Sequence, residues 1–156
     1  MFEKEIRHAR PYPVLALGTG PGGRAAGCTP ALPPGPLRIQ ITGEEFTWQF
    51  RYPGPDGALN TADDIVKPGK ELHLPLSIEI ELELTSRDYI YTFALPHLDL
   101  HQVAVPDLTF ALAFTPQTSG AFAFVGDQMC GFEHESLNGR VVVESPAAFV
   151  DWLTGP

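Results

Sequence analysis

A thiol and an imidazole lie four residues apart near the end of the chain, in Val125-Gly-Asp-Gln-Met-Cys-Gly-Phe-Glu-His134. Carried on one short loop, the Cys130 thiolate and the His134 imidazole are donors for a soft or borderline metal. Sulfur with imidazole suits copper or zinc, whereas magnesium and calcium take oxygen. The competing reading is a buried structural cysteine with an unrelated histidine nearby.

Such a loop must be held by rigid flanks. Ala121–Val125 and Arg140–Glu144 alternate apolar and other residues at the strand period, so the loop joins two strands. The same alternation marks Leu37–Ile41, Phe46–Phe50, Glu71–Leu76, Ile78–Leu84, Tyr89–Leu95 and Leu108–Phe114 as strands. It places Phe46, Trp48 and Phe50 on one core-packing face. Ile78, Ile80, Leu82 and Leu84 face inward. Glu79, Glu81 and Glu83 line the outside, where like charge also guards a sheet edge. Leu108–Phe114 is expected to pair with Ala121–Val125 across Thr115–Gly120. Ser145-Pro146 reads as an N-cap followed by proline at the first helical position, opening a short helix that packs Phe149, Trp152 and Leu153 inward. About eight short strands and one terminal helix predict an all-β, Greek-key β-sandwich over residues 37–156.

Other residues compete for attention. His97 and His101 sit between Pro96 and Pro106 in a segment that reads as an extended loop, and each is read first as an exposed or hydrogen-bonded histidine. Asp56, Asn60, Asp63 and Asp64 offer oxygen donors in a turn-rich excursion. They lack the regular spacing of a calcium loop, so a solvated hairpin loop is the expectation. No serine–histidine–acid set or carboxylate pair suggests an enzyme.

The chain has 156 residues, enough for one domain, and its 16 Pro and 15 Gly cluster at turns. A formal net charge of −9 argues against nucleic acid. It suits a basic protein partner, or simply solubility. No apolar stretch approaches the roughly twenty residues of a membrane-spanning helix. Two cysteines permit one disulfide, Cys28 to Cys130, which would remove the thiolate from any metal.

Residues 1–36 read as a separate, signal-like or disordered segment. Ala25-Ala-Gly-Cys28-Thr-Pro resembles a bacterial lipoprotein cleavage site, with Lys4, Arg7 and Arg10 before it and a proline-rich tether after it. A lipid on Cys28 would then hold the domain at the membrane.

From about Leu37 to Leu153 the chain resembles the soluble copper domain of cytochrome c oxidase subunit II, a cupredoxin. The resemblance rests on Phe46-Thr-Trp-Gln-Phe-Arg-Tyr-Pro-Gly54, Glu71-Leu-His-Leu-Pro75, Glu83-Leu-Thr-Ser-Arg-Asp88, Ala94-Leu-Pro96, Ala104-Val-Pro106 and Cys130-Gly-Phe-Glu-His134. It implies a dinuclear copper centre built on a Cys-x-x-x-Cys-Gly-x-x-His-x-x-Met loop and one earlier histidine. Cys130 and His134 match the second cysteine and the loop histidine. The first cysteine falls on Gly126, the methionine on Leu137 and the earlier histidine on Tyr91. The glutamate that lends a backbone carbonyl falls on Gln128, and the tryptophan through which electrons arrive falls on Phe46. With one thiolate, the resemblance implies a mononuclear copper site used for electron transfer or copper delivery outside the cytoplasmic membrane. The third ligand is open among Tyr91, Glu133, Glu135, His97 and His101. Its partners would be a redox protein or oxidase subunits. The alternative it leaves is a metal-free accessory module of an oxidase or another envelope complex.

Overall fold

The computed structural model describes Leu32 and residues 34–129 and 134–155; Cys28, Cys130, Glu133 and the lipoprotein-like segment lie outside the described residues. Ten strands follow in order: β1 (Leu37–Glu44), β2 (Thr47–Tyr52), β3 (Ile65–Pro68), β4 (Glu71–Pro75), β5 (Ile80–Ser86), β6 (Tyr91–Leu95), β7 (Leu100–Ala104), β8 (Phe110–Phe114), β9 (Gly120–Gln128) and β10 (Gly139–Glu144). One helix, α1 (Pro146–Thr154), ends the fold. The strands form two five-stranded sheets in the orders β3-β2-β1-β5-β8 and β4-β10-β9-β6-β7. Each sheet has one parallel pair, β1 with β5 and β10 with β4. Neighbours so far apart in sequence make this the expected Greek-key sandwich.

Period-two alternation explains what lies between the sheets. Ile39 and Ile41 of β1, Trp48 and Phe50 of β2, and Leu82 and Leu84 of β5 are buried with Leu72, Leu74, Phe93, Phe124 and Val141 of the other sheet. Each such side chain contributes roughly 1.5–3 kcal/mol through the apolar surface it removes from water.

Several expectations need correction. The described residues form ten strands: β3 is not among the expected elements, and β7 falls in the segment between Pro96 and Pro106 that reads as an extended loop. Strands β8 and β9 do not pair: β8 lies against β5 and β9 lies between β6 and β10. Alternation identifies a strand but not its partner, and here residues 115–119 cross from one sheet to the other. The Pro116 carbonyl in this crossing accepts a hydrogen bond from the Ser77 N–H at 2.8 Å. Strand β5 is interior, so its glutamates guard no edge; Glu83 is buried and paired with Arg38 of the neighbouring strand. Phe46 is in a turn and does not share the face of Trp48 and Phe50.

The C-terminal helix begins as expected. The Ser145 hydroxyl accepts from the Ala148 N–H at 3.3 Å, and Pro146 occupies the first turn. Phe149 and Leu153 are buried. Trp152 lies flat on His73, with ring centroids 3.8 Å apart and 6° between planes. His73 Nδ1 is 2.7 Å from the Glu144 carboxylate.

Candidate metal centre

Strand β9 carries the chain as far as Gln128. Before β10 the chain makes a 3-10 turn at Glu135–Leu137. Tyr91, at the start of β6, is the register partner of Gln128, so Tyr91 stands at the end of the sandwich from which the loop springs. The third wall is the β1–β2 hairpin, whose two turn residues, Glu45 and Phe46, have φ of +49° and +57°. Positive φ at both positions is the backbone of a tight hairpin turn that normally selects Asn-Gly.

The Phe46 ring reaches the candidate imidazole. Its centroid is 4.2 Å from that of His134, 5.3 Å from Tyr89 and 6.3 Å from Tyr91. His134 is half-buried, and its carbonyl accepts from the Leu137 N–H at 2.9 Å. Among the described residues the histidine that contacts carboxylates is His73, with Glu144 at 2.7 Å and Glu71 at 3.6 Å. The contact made by the His134 ring, among the same described residues, is the aromatic one with Phe46.

The positions where the family pattern calls for further donors are occupied otherwise. A Cβ at Gly126 would lie 2.7 Å from the Leu137 carbonyl oxygen and 2.9 Å from Trp48 Nε1. Those two atoms are joined by a 2.8 Å hydrogen bond in which the indole donates. Leu137 itself is fully buried. The Tyr91 hydroxyl donates to Asp88 Oδ1 at 2.7 Å and accepts from the Phe46 N–H at 3.3 Å. Burial and then the bond to Asp88 push its pKa up to about 12, so it is a neutral phenol near pH 7. A two-copper centre of the family's kind does not fit this chain, because its first thiolate has no room and its earlier histidine is a hydrogen-bonded phenol.

The remaining candidates are scattered. His97 lies flat on Phe122, at 4.2 Å and 8°, beside a cavity of about 180 Å³ between the sheets. Phe122 precedes Gln128 by six residues on β9, about 20 Å along the strand. His97 is therefore at the opposite end from His134. His101 is exposed on β7 as the partner of Ala94. Glu135 is exposed, and its carbonyl accepts from Lys70 Nζ at 3.2 Å. Among the described residues no three His, Cys, Asp or Glu side chains gather as metal donors. The acidic hairpin loop satisfies itself: Asp63 accepts from the Thr61 hydroxyl at 2.6 Å, and Asp64 from the Asn60 N–H at 2.7 Å and Arg51 at 3.1 Å.

Sequence reasoning missed Asp88 and Ser136, which hold the Phe46 turn. A signal was available: buried apolar residues fall at odd positions through Ile41 and at even positions from Trp48, and such a change of phase marks a hairpin.

Residues 37–145 match the family model for the periplasmic domain of cytochrome c oxidase subunit II, so the chain belongs to that family. It is 27% identical to the alternative cytochrome c oxidase subunit 2 of Bradyrhizobium diazoefficiens, over 89% of this chain and 61% of that protein. It is 29% identical to cytochrome c oxidase subunit 2 of Thermostichus vulcanus, over 74% of this chain and 32% of that protein. The chain thus spans between a third and three fifths of these curated relatives. Its fold matches the crystal structure of the periplasmic domain of cytochrome oxidase subunit II of Bradyrhizobium japonicum. That comparison gives a TM-score of 0.63 at 24% identity and covers 78% of this chain and 94% of the other. Among the described residues no helix is long and apolar enough to cross a membrane.

Proposed function

We propose that this cupredoxin domain binds one copper through Cys130 and His134 and transfers single electrons, or delivers copper, at the outer face of the membrane. The observation that carries this reading is the half-buried His134 imidazole, held 4.2 Å from Phe46 within four residues of a thiol. A thiolate and an imidazole are donors that copper prefers. A redox protein or oxidase subunits are the partners, in keeping with the family. A lipid on Cys28 would keep the domain at the membrane; the Cys28→Ser form should then leave the membrane fraction, and its continued sedimentation would remove the anchor from the account. Redox titration of the copper-loaded protein separates the two roles. A reversible colour change with a defined potential supports a carrier, whereas transfer of the metal to a competing chelator without such a potential supports delivery.

A second reading is a metal-free accessory module. It is favoured by Tyr91, which stands at the place of the family's earlier histidine as a buried phenol whose hydroxyl donates to Asp88.

A further inference from the structure

The Glu45-Phe46 turn contradicts its own sequence. Left-handed backbone costs roughly 1–2 kcal/mol for each residue that carries a Cβ, and here two such residues adopt it in succession. Strain of this kind persists where surrounding contacts over-determine it, and it is concentrated at functional sites.

Asp88 is the centre of those contacts. One carboxylate oxygen accepts from the Glu45 N–H at 2.7 Å. The other accepts from the Tyr91 hydroxyl at 2.7 Å and from the Tyr89 N–H at 2.8 Å. The Tyr91 oxygen in turn accepts from the Phe46 N–H. Both strained N–H groups are therefore satisfied by Asp88, directly or through one hydroxyl. From the far side the Ser136 hydroxyl donates to the Phe46 carbonyl at 2.5 Å, tying the turn to the segment that follows His134. The Phe46 ring is thus fixed between Tyr89 and His134.

We infer that Asp88 is a positioning residue for His134, acting through the strained Glu45-Phe46 turn and the Phe46 ring. Tyr91 belongs to the same device, as a strut and not as a ligand. The inference deepens the copper reading by taking His134 as a donor, but the placement of its imidazole can be measured without metal.

The test uses NMR of the His134 ring in the metal-free protein, assigned with His134→Gln. In the parent chain the Phe46 ring current should displace the His134 ring resonances from those of an exposed histidine. In Asp88→Ala they should move toward the exposed position. Adding Glu45→Gly should restore at least half of the displacement, because glycine adopts positive φ without strain. The double variant also provides the measurement if Asp88→Ala folds poorly. In copper-loaded protein, Asp88→Ala should bind the metal about tenfold more weakly, as expected when an outer-shell support is lost. Unchanged His134 resonances in Asp88→Ala, or a shift that Glu45→Gly leaves untouched, would overturn the inference. If the parent takes no copper but the resonances move and recover, positioning stands and the copper reading fails.

Discussion

At Gly126 the missing side chain leaves just enough room for the Trp48 indole to reach the Leu137 carbonyl. Restoring the family's first cysteine there should not rebuild a dinuclear centre. Gly126→Cys is expected to lose about 1–3 kcal/mol through overpacking while copper stoichiometry stays at one. Urea unfolding with metal analysis would check this, and two coppers in a stable variant would contradict it. Asp88 makes a prediction about pH. Desolvation pushes its pKa up, but the Tyr91 hydroxyl and the Glu45 and Tyr89 N–H groups outweigh it and hold the carboxyl below the usual value. A depressed native pKa contributes stability that is present above the unfolded value, near 4, and lost as pH falls through the native one. The urea midpoint should therefore drop more steeply in the parent than in Asp88→Asn once the pH falls below the unfolded carboxylate value of about 4. Parallel curves would count against the network.

The elements show which parts of the fold could be read in advance. Strands β1, β2, β5, β6 and β10 carry enough alternating residues to be legible, and Ser145-Pro146 announces α1. Strand β3 is four residues long and follows an aspartate-rich turn, so its signal is short. Strand β7 lies between prolines that suggested loop, although its period-two pattern was visible. Partners were less legible than strands, because the β8–β9 crossing is decided by packing between sheets and not by local pattern. The site shows the same division. Cys130 and His134 stand out by residue type, but the Asp88–Tyr91–Phe46 network depends on contacts made 43 and 45 residues apart. Helix α1 permits a direct test of how its element is held. Trp152 stacks on His73 and meets Tyr52 edge-on at 5.4 Å. Trp152→Ala should cost about 2–3 kcal/mol, below the fully buried range because the indole is half-exposed. Loss of the cap in Ser145→Ala should cost about 1 kcal/mol. Thermal melts that leave both variants at the parent midpoint would show that the helix does not support the sandwich.

Taken as a domain, residues 37–145 match the subunit II periplasmic-domain family and fold as a two-sheet sandwich. The Trp48–Leu137 hydrogen bond lies over Gly126 and the Tyr91 hydroxyl is bound to Asp88, at the two places where the resemblance implies a first cysteine and an earlier histidine. We propose that Cys130 and His134 hold a single copper. This is tested most directly by titrating copper into the reduced Cys28→Ser chain, followed by visible absorption and metal analysis. The expected result is one copper per chain and an intense thiolate-to-copper band that disappears in Cys130→Ser. Two coppers per chain would show that a further donor replaces the lost cysteine. No tight copper and no band would contradict the claim and leave the metal-free module as the function of this fold.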